Sequence, residues 1–261
     1  GEWRGTILRK SIDLEKDPPV DHTPPDKTLG IDTESGNWDA RIRIKRQSTG
    51  ANLADDRKIW TALGDQEASY LGNWDNFNHN NSDSISELFG KLNVRIRDYH
   101  NTSSVCGLEK PTEFADTDGI GDEIIGLINF VKGVDYFDYD GDCNITEVRK
   151  SVLGDIYHSQ LIEIGPPNAS VDFMSSNEEA YFRSVNNYTA FKRKWANRAR
   201  VIYAGSNSGM LHAICAEEVG SSLCEPGEEL WGFVPPFIAA VMPEIINPDY
   251  DGAVDDEYGG T

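Results

Sequence analysis

The chain has 261 residues, of which 38% are hydrophobic and 10% aromatic, so it can bury a core and is not disordered throughout. Its 44 acidic residues outnumber its 24 basic residues, and the net charge of −20 argues against a nucleic-acid surface because phosphates would be repelled. No apolar run is long enough to span a bilayer. The composition fits a secreted protein, a cation-binding protein, or both, with solubility alone as the simpler explanation.

The first segment, residues 1–64, mixes short β-like runs with breakers of regular structure. Residues 6–8, 41–45 and 59–63 are strand candidates, and 41–45 alternates apolar and charged side chains with the two-residue period of a strand. A proline-rich stretch at 17–26 excludes helix and central strand there. We therefore expect strands joined by a proline-rich loop.

The second segment, residues 65–152, changes to helical patterns and acidic loops. Residues 84–92 have apolar side chains at helical spacing, with Asp83 or Ser84 as the N-cap. Residues 122–131 predict a second helix, which Gly133 ends. We expect a small helical and acidic-loop insertion carried by a β scaffold.

The third segment, residues 153–261, returns to β patterns. Residues 156–164 predict a strand region, and apolar spacing over 177–197 predicts one helix. Residues 201–236 predict three strands separated by turns, which is the antiparallel meander from which β-propeller blades are built. Only one such unit is visible, so we expect a fragment of a longer protein, completed by further blades of its own polypeptide or by another chain.

The four cysteines predict two disulfides. Cys215 and Cys224 flank a loop between two predicted strands, which would place their side chains close together. Cys106 and Cys143 would then pair by elimination. Two disulfides indicate an oxidising compartment. Four reduced, partly buried thiols are the alternative.

An acidic loop at residues 138–147 is the best metal candidate, because oxygen side chains at every second position can converge on one hard cation such as Ca²⁺. The candidate ligands are Asp138, Asp140, Asp142, Asn144 and Glu147. The match to an EF-hand is imperfect, since glycine falls at the fourth position and Arg149 occupies the twelfth. A solvated acidic turn is the alternative.

Two further acidic runs are weaker metal candidates. Their carboxylates belong to Asp116, Asp118, Asp122, Asp249, Asp251 and Asp255. Asp122 also suits the N-terminus of the second predicted helix, where the dipole favours negative charge.

Catalytic motifs are not found in the sequence, and we expect no enzyme. There is no Gly-x-Ser-x-Gly, no His-Glu-x-x-His and no phosphate-binding glycine loop. His158 and His212 each lie in a strand-like context, which favours a structural role.

Four short pieces occur in an order that carries a family resemblance. They are INFVKGVD at 128–135, LGDIYHS at 153–159, VIYAGSNSGMLHA at 201–213 and GEELWGFVPP at 227–236. Together they resemble the propeller domain of the PilC/PilY family of type IV pilus tip-associated proteins. The longer, cysteine-flanked turn at 215–224 departs from the short Asp-x-x-Thr-Gly link that is commoner in that family.

The resemblance implies a mainly β fold, a partial, quinoprotein-like β-propeller with helical insertions. It also implies a non-enzymatic protein, secreted through the periplasm to the cell surface at the pilus tip. There it would act with minor pilins in pilus assembly, adhesion to a host or abiotic surface and twitching motility, modulated by Ca²⁺.

Two alternative hypotheses for the function are open. A quinoprotein-dehydrogenase fragment is one, because residues 227–231 resemble the tryptophan-docking turn of such propellers. Against it, the repeat occurs once and no vicinal cysteine pair is present to pack on a quinone ring. A calcium-stabilised, partner-binding scaffold without an adhesive role is the other.

Overall fold

The structure of the chain is a computed structural model. The described residues are 5–13, 20–21, 28–33, 35–47, 57–64, 75–90, 121–135, 144, 146–173, 177–217, 224–239 and 241–242. Their strands are β1 (Leu8–Arg9), β2 (Ile12–Asp13), β3 (Val20–Asp21), β4 (Trp38–Asp39), β5 (Ile59–Thr61), β6 (Ile162–Ile164), β7 (Arg200–Gly205), β8 (Leu211–Glu217) and β9 (Glu229–Val234). Their helices are α1 (Ala40–Gln47), α2 (Ser82–Gly90), α3 (Gly121–Lys132), α4 (Glu178–Val185), α5 (Tyr188–Lys194) and α6 (Pro236–Ala239), with a short 3-10 turn at His79–Asn81.

A five-stranded sheet in the order β5-β9-β8-β7-β6 forms the centre of the described structure. Strands β6 to β9 make an antiparallel meander in chain order, whereas β5 pairs in parallel with β9. Two small two-stranded sheets, β1-β4 and β2-β3, accompany it. The predicted three-strand meander over 201–236 is therefore confirmed, and the predicted strand at 59–63 joins its edge.

The turn between β7 and β8 shows why this sequence reverses here. Ser206 donates its backbone N–H to the Met210 carbonyl at 2.8 Å, and Gly209 donates to the Ser206 carbonyl at 3.0 Å. Gly209 has a φ of +84°, and a Cβ there would lie 2.4 Å from Ile238 Cγ2. Only glycine combines this backbone with that close approach to α6.

Two apolar clusters pack against the sheet. The first brings together α2, α3, α6 and the β5–β9 edge, and its fully buried members include Ile59, Phe77, Ile85, Leu127 and Val234. The second joins the N-terminal elements to the meander through Trp38, Ile44, Leu153 and Ile214. Each cluster joins residues that are far apart in the sequence. The helices therefore pack against the sheet in common apolar cores.

Both helices predicted in the second segment are confirmed, at α2 and α3. The third predicted helix, over 177–197, is instead two short helices separated by Asn186 and Asn187. Asn187 has a φ of +59°, a left-handed conformation that a continuous helix cannot contain.

Two strand predictions were wrong. Residues 41–45 lie in α1, where Ala40, Arg43 and Ile44 are buried at helical spacing. Residues 156–159 form no strand, and His158 has a φ of +62°. An alternation of apolar and charged residues over five positions is too short to distinguish a strand from a helix. In this segment a charged side chain, Arg43, is buried by contacts with residues far along the chain, which the pattern does not reveal.

The fold class is a mixed α/β arrangement within the described residues, where helices hold more residues than strands. The sheet there is open, with β5 and β6 at its edges, and neither a closed barrel nor a ring of blades is present in that part of the chain. The division into segments 1–64, 65–152 and 153–261 stays a prediction, although the sheet takes β5 from the first and four strands from the third.

Candidate functional site

The acidic loop that carries the metal prediction leaves the end of α3 through a closed neck. Gly133 ends the helix with a φ of +111°, and Val134 forms an antiparallel bridge with Val148. Asp135 donates its backbone N–H to the Glu147 carbonyl at 2.8 Å, and Arg149 donates to the Gly133 carbonyl at 2.8 Å. We call residues 133–135 and 147–149 the neck; it holds the two ends of the acidic loop side by side.

Close packing fixes the neck against the body of the protein. A Cβ on Gly133 would lie 2.8 Å from Cγ1 of Val152, which is buried in the second cluster. The Arg149 guanidinium lies 3.9 Å from the centre of the Phe130 ring on α3, within the range of a cation–π contact. The neck therefore has little room to open without disturbing both cores.

Two of the five predicted metal ligands are described, and they lie together. The Asn144 side-chain oxygen accepts from the Thr146 N–H at 3.2 Å and from the Thr146 hydroxyl at 2.9 Å. The Asn144 side-chain nitrogen lies 3.4 Å from Glu147 Oε2. The side-chain oxygen of Asn144 therefore already takes part in a local turn.

The other predicted metal ligands fall outside the description. Asp138, Asp140, Asp142, Asp116, Asp118, Asp249, Asp251 and Asp255 lie outside the described residues, as does the side chain of Asp122. No group of three or more His, Cys, Asp or Glu side chains is arranged to hold a metal ion in the part of the chain that the structure describes. The calcium site stays a prediction.

Buried ion pairs tie α3 to its surroundings just before the neck. Lys132 Nζ lies 2.6 Å from Asp75 Oδ2, and both side chains are almost completely buried. Arg57 forms a bidentate pair with Glu229 of β9, at 2.6 and 2.8 Å. Its third donor, Nη1, bonds the Val131 carbonyl in the last turn of α3 at 3.0 Å. Arg57 thereby satisfies a helix-end carbonyl that would otherwise be buried without a partner.

The Glu229 carboxylate also begins a chain of hydrogen bonds on the meander. Glu229 Oε1 lies 2.7 Å from His212 Nδ1, and His212 Nε2 lies 3.0 Å from the Ser206 hydroxyl. Ser206 in turn contacts the Ser208 hydroxyl at 2.7 Å. The strand-like context of His212 predicts a structural role, but it does not reveal the two partners, Ser206 in the turn after β7 and Glu229 on β9.

Among the described residues, the backbone amides beside this Ser-His-Glu arrangement do not complete a hydrolytic site. The backbone N–H of Ser206 is bonded to Met210, and that of Asn207 to the Asp155 carbonyl at 2.7 Å, so neither amide is available to stabilise an oxyanion. His212 is fully buried, and Arg57 neutralises the carboxylate. The geometry favours a structural role, in which this buried network connects strands β8 and β9 to the end of α3.

The electrostatics of Glu229 follow from this environment. Burial alone would raise its pKa, but the charge of Arg57 and the hydrogen bonds from His212 and Arg57 outweigh burial and lower the pKa to about 2. Glu229 is therefore ionised at all physiological pH values.

A disulfide closes the hairpin between β8 and β9. Cys215 and Cys224 are bonded, with their Cα atoms 5.9 Å apart, which confirms the predicted pair. Arg43 of α1 bonds Glu225 at 2.6 Å and Glu228 at 2.8 Å beside it. Burial raises the pKa of Glu228, while Arg43 opposes that rise. Cys106 and Cys143 lie outside the described residues.

The fold and the site together define a mixed α/β protein with a disulfide-closed meander and an acidic loop on a fixed neck. Over 99 residues the chain is 35% identical to the type IV pilus biogenesis factor PilY1 homolog of Xylella fastidiosa. The match covers 38% of this chain and 7% of that relative. It confirms the resemblance to the PilC/PilY family, and the matched part of the chain spans only a small share of that relative's length.

Other comparisons add no further relative. No protein-family model matches the chain, and no solved structure matches it significantly. Among the described residues, no helix has both the length and the apolar character needed to cross a membrane.

Proposed function

We propose that this chain is part of a non-enzymatic type IV pilus biogenesis protein that acts at the cell surface, at the pilus tip. The observation that carries the proposal is the 35% identity over 99 residues to a type IV pilus biogenesis factor. Minor pilins are its expected partners there. Adhesion to a host or abiotic surface and twitching motility would follow from that position.

We also propose that strands β6 to β9 form one blade of a larger propeller. Four antiparallel strands joined in chain order are the composition of a propeller blade. The edge strand β6 is exposed, and exposed edges are normally covered in a native assembly. The remaining blades would come from elsewhere in a longer polypeptide or from another chain.

Calcium at the acidic loop is the third part of the proposal. The candidate ligands at 138, 140, 142, 144 and 147 all offer oxygen, the donor that Ca²⁺ prefers. Asp135 and Glu147 face each other across the neck through a backbone hydrogen bond, which brings the two ends of the loop together. Bound calcium would offset the mutual repulsion of the loop carboxylates and supply no chemistry beyond that.

The pilus proposal is tested in the organism that encodes the chain. The segment is deleted in frame from the chromosomal gene, and surface pili are counted by electron microscopy beside a strain that carries a restored copy. We expect fewer surface pili and reduced twitching after deletion, with recovery in the restored strain. Unchanged pilus number and motility, with the rest of the protein still secreted, would refute the proposed role.

A further inference from the structure

The hairpin formed by α4 and α5 has almost no core beneath it. Ala180 is the one fully buried residue of these two helices. Large apolar side chains point outward instead, with exposed fractions between 41% and 59% for Tyr181, Phe182, Val185, Phe191 and Trp195. Isolated apolar side chains are normal on a surface, but five on one hairpin are not.

Helices of this length do not gain enough stability from their own hydrogen bonds. Helix α4 has eight residues and α5 has seven, well below the length at which an isolated helix is stable in water. Few polar contacts tie them down: Arg183 donates to the Ser170 carbonyl at 2.8 Å, and the Tyr188 hydroxyl accepts from the Ala169 N–H at 3.2 Å. Burial of the apolar side chains against a partner would supply the missing stabilisation.

Charge is strongly segregated at the same place. The hairpin, residues 178–194, contains four basic and two acidic residues, although the whole chain has a net charge of −20. Arg183 and Arg200 are already in ion pairs with Glu179 and Glu163. Lys192, Arg193 and Lys194 form no ion pair with any described residue. They lie in the last turn of α5, where the helix dipole favours positive charge, so the dipole accounts for part of this pattern but not for the aromatic side chains.

We propose that the α4–α5 hairpin docks an acidic amphipathic helix of a partner protein. Its aromatic and aliphatic side chains would bury the apolar face of that helix, and Lys192, Arg193 and Lys194 would pair with its carboxylates. This surface is separate from the acidic loop, and the inference does not depend on the proposed pilus role.

Charge and apolar area together favour this occupant over the alternatives. A nucleic acid or an anionic membrane presents uniform negative charge, which the remaining acidic surface of the chain repels. Two copies of the chain, each at −20, also repel one another. A folded partner can present carboxylates only where they meet the hairpin, together with apolar side chains that need burial.

Binding is measured with a designed probe by fluorescence anisotropy on the full chain. The probe is a labelled peptide of about 18 residues, five helical turns, with Leu on one face and Glu on the other. Its matched control carries Lys in place of every Glu. We expect saturable binding of the acidic peptide that weakens with added salt, and no binding of the basic peptide.

Variants locate the site. The charge reversal Lys192→Glu, Arg193→Glu and Lys194→Glu, and separately Phe182→Ser with Phe191→Ser, should each weaken binding about ten-fold or more. Lys150→Glu and Phe237→Ser change an exposed lysine and an exposed phenylalanine elsewhere, and should leave binding unchanged. Six of these seven side chains are exposed and Lys192 is partly buried, so thermal melting of each variant checks that the fold is retained.

Three results would overturn the proposal. One is equal binding of the acidic and basic peptides, or binding that the hairpin variants do not weaken. A second is hairpin-dependent binding to phosphatidylglycerol vesicles or single-stranded DNA that is tighter than binding to the acidic peptide. The surface would then recognise negative charge without requiring an amphipathic helix. A third is self-association in sedimentation that the charge reversal abolishes, which would make a second copy the occupant.

Discussion

Glu229 is the residue on which the buried polar contacts of the described structure converge. Its two oxygens accept from Arg57 and contact His212, and Arg57 extends the network to the end of α3. An ion pair of this kind contributes little net stability compared with apolar packing, but losing one partner is costly because the other charge stays buried. The network therefore fixes where the sheet and α3 meet.

Replacing Glu229 by Gln should destabilise the protein by about 3–5 kcal/mol, because Arg57 would stay buried without its counter-charge. Urea unfolding of the purified chain measures this loss. Glu163→Gln is the matched control: its carboxylate pairs with Arg200 at 2.8 Å on an exposed edge, and its removal should cost less than about 1 kcal/mol. Equal costs for the two variants would show that the buried pair does not organise this junction.

Stability should also depend on Glu229 at acid pH. Its folded pKa of about 2 lies below the ordinary value of 4.5, so the unfolded chain binds more protons between these values. The contribution, about 3 kcal/mol, is complete above about pH 4.5 and is lost as the pH falls towards 2. Urea unfolding from about pH 6 to about pH 2 should show a steeper acid loss for the native chain than for Glu229→Gln. Parallel curves of unfolding free energy against pH for the two proteins would contradict the proposed contribution of Glu229.

The neck is the element that connects the helical part of the chain to the predicted metal loop. Gly133 both ends α3 and begins the neck, with Val152 packed where its side chain would be. A change at this glycine therefore acts on the helix end, the neck and the second core together.

Gly133→Ala should destabilise the chain by about 1–3 kcal/mol, because alanine is strained at a φ of +111° and its Cβ would lie 2.8 Å from Val152. Thermal melting and urea unfolding measure the effect. Gly64→Ala is the matched control, since a Cβ there meets nothing within 4 Å and the change should stay within about 0.5 kcal/mol. A harmless Gly133→Ala would mean that the neck is not held as described.

Features that depend on neighbouring residues could be predicted from the sequence. Features that depend on partners far along the chain could not. Cys215 and Cys224 are nine residues apart between two clear strands, so their pairing could be read from the sequence. Residues 41–45 could not, because the burial of Arg43 depends on Glu225 and Glu228, about 180 positions away. The contact of Glu229 with Arg57, across 172 positions, was hidden for the same reason.

The whole molecule carries its acidic and basic side chains in different places. The acidic loop leaves one end of α3, where buried ion pairs and the neck fix its base. The α4–α5 hairpin concentrates basic and apolar side chains elsewhere on a chain of net charge −20. We expect calcium to act at the acidic loop and a protein partner to dock at the hairpin.

We propose that calcium at the acidic loop supports a role in pilus biogenesis. We would count surface pili in cells whose full-length protein carries Asp138→Asn, Asp140→Asn and Asp142→Asn, in media with and without calcium. Native cells should lose pili when calcium is withdrawn, and the variant should have few pili in either medium. A control with Asp249→Asn, Asp251→Asn and Asp255→Asn should behave like native cells. Native pilus numbers in the loop variant, with unchanged calcium dependence, would contradict the claim.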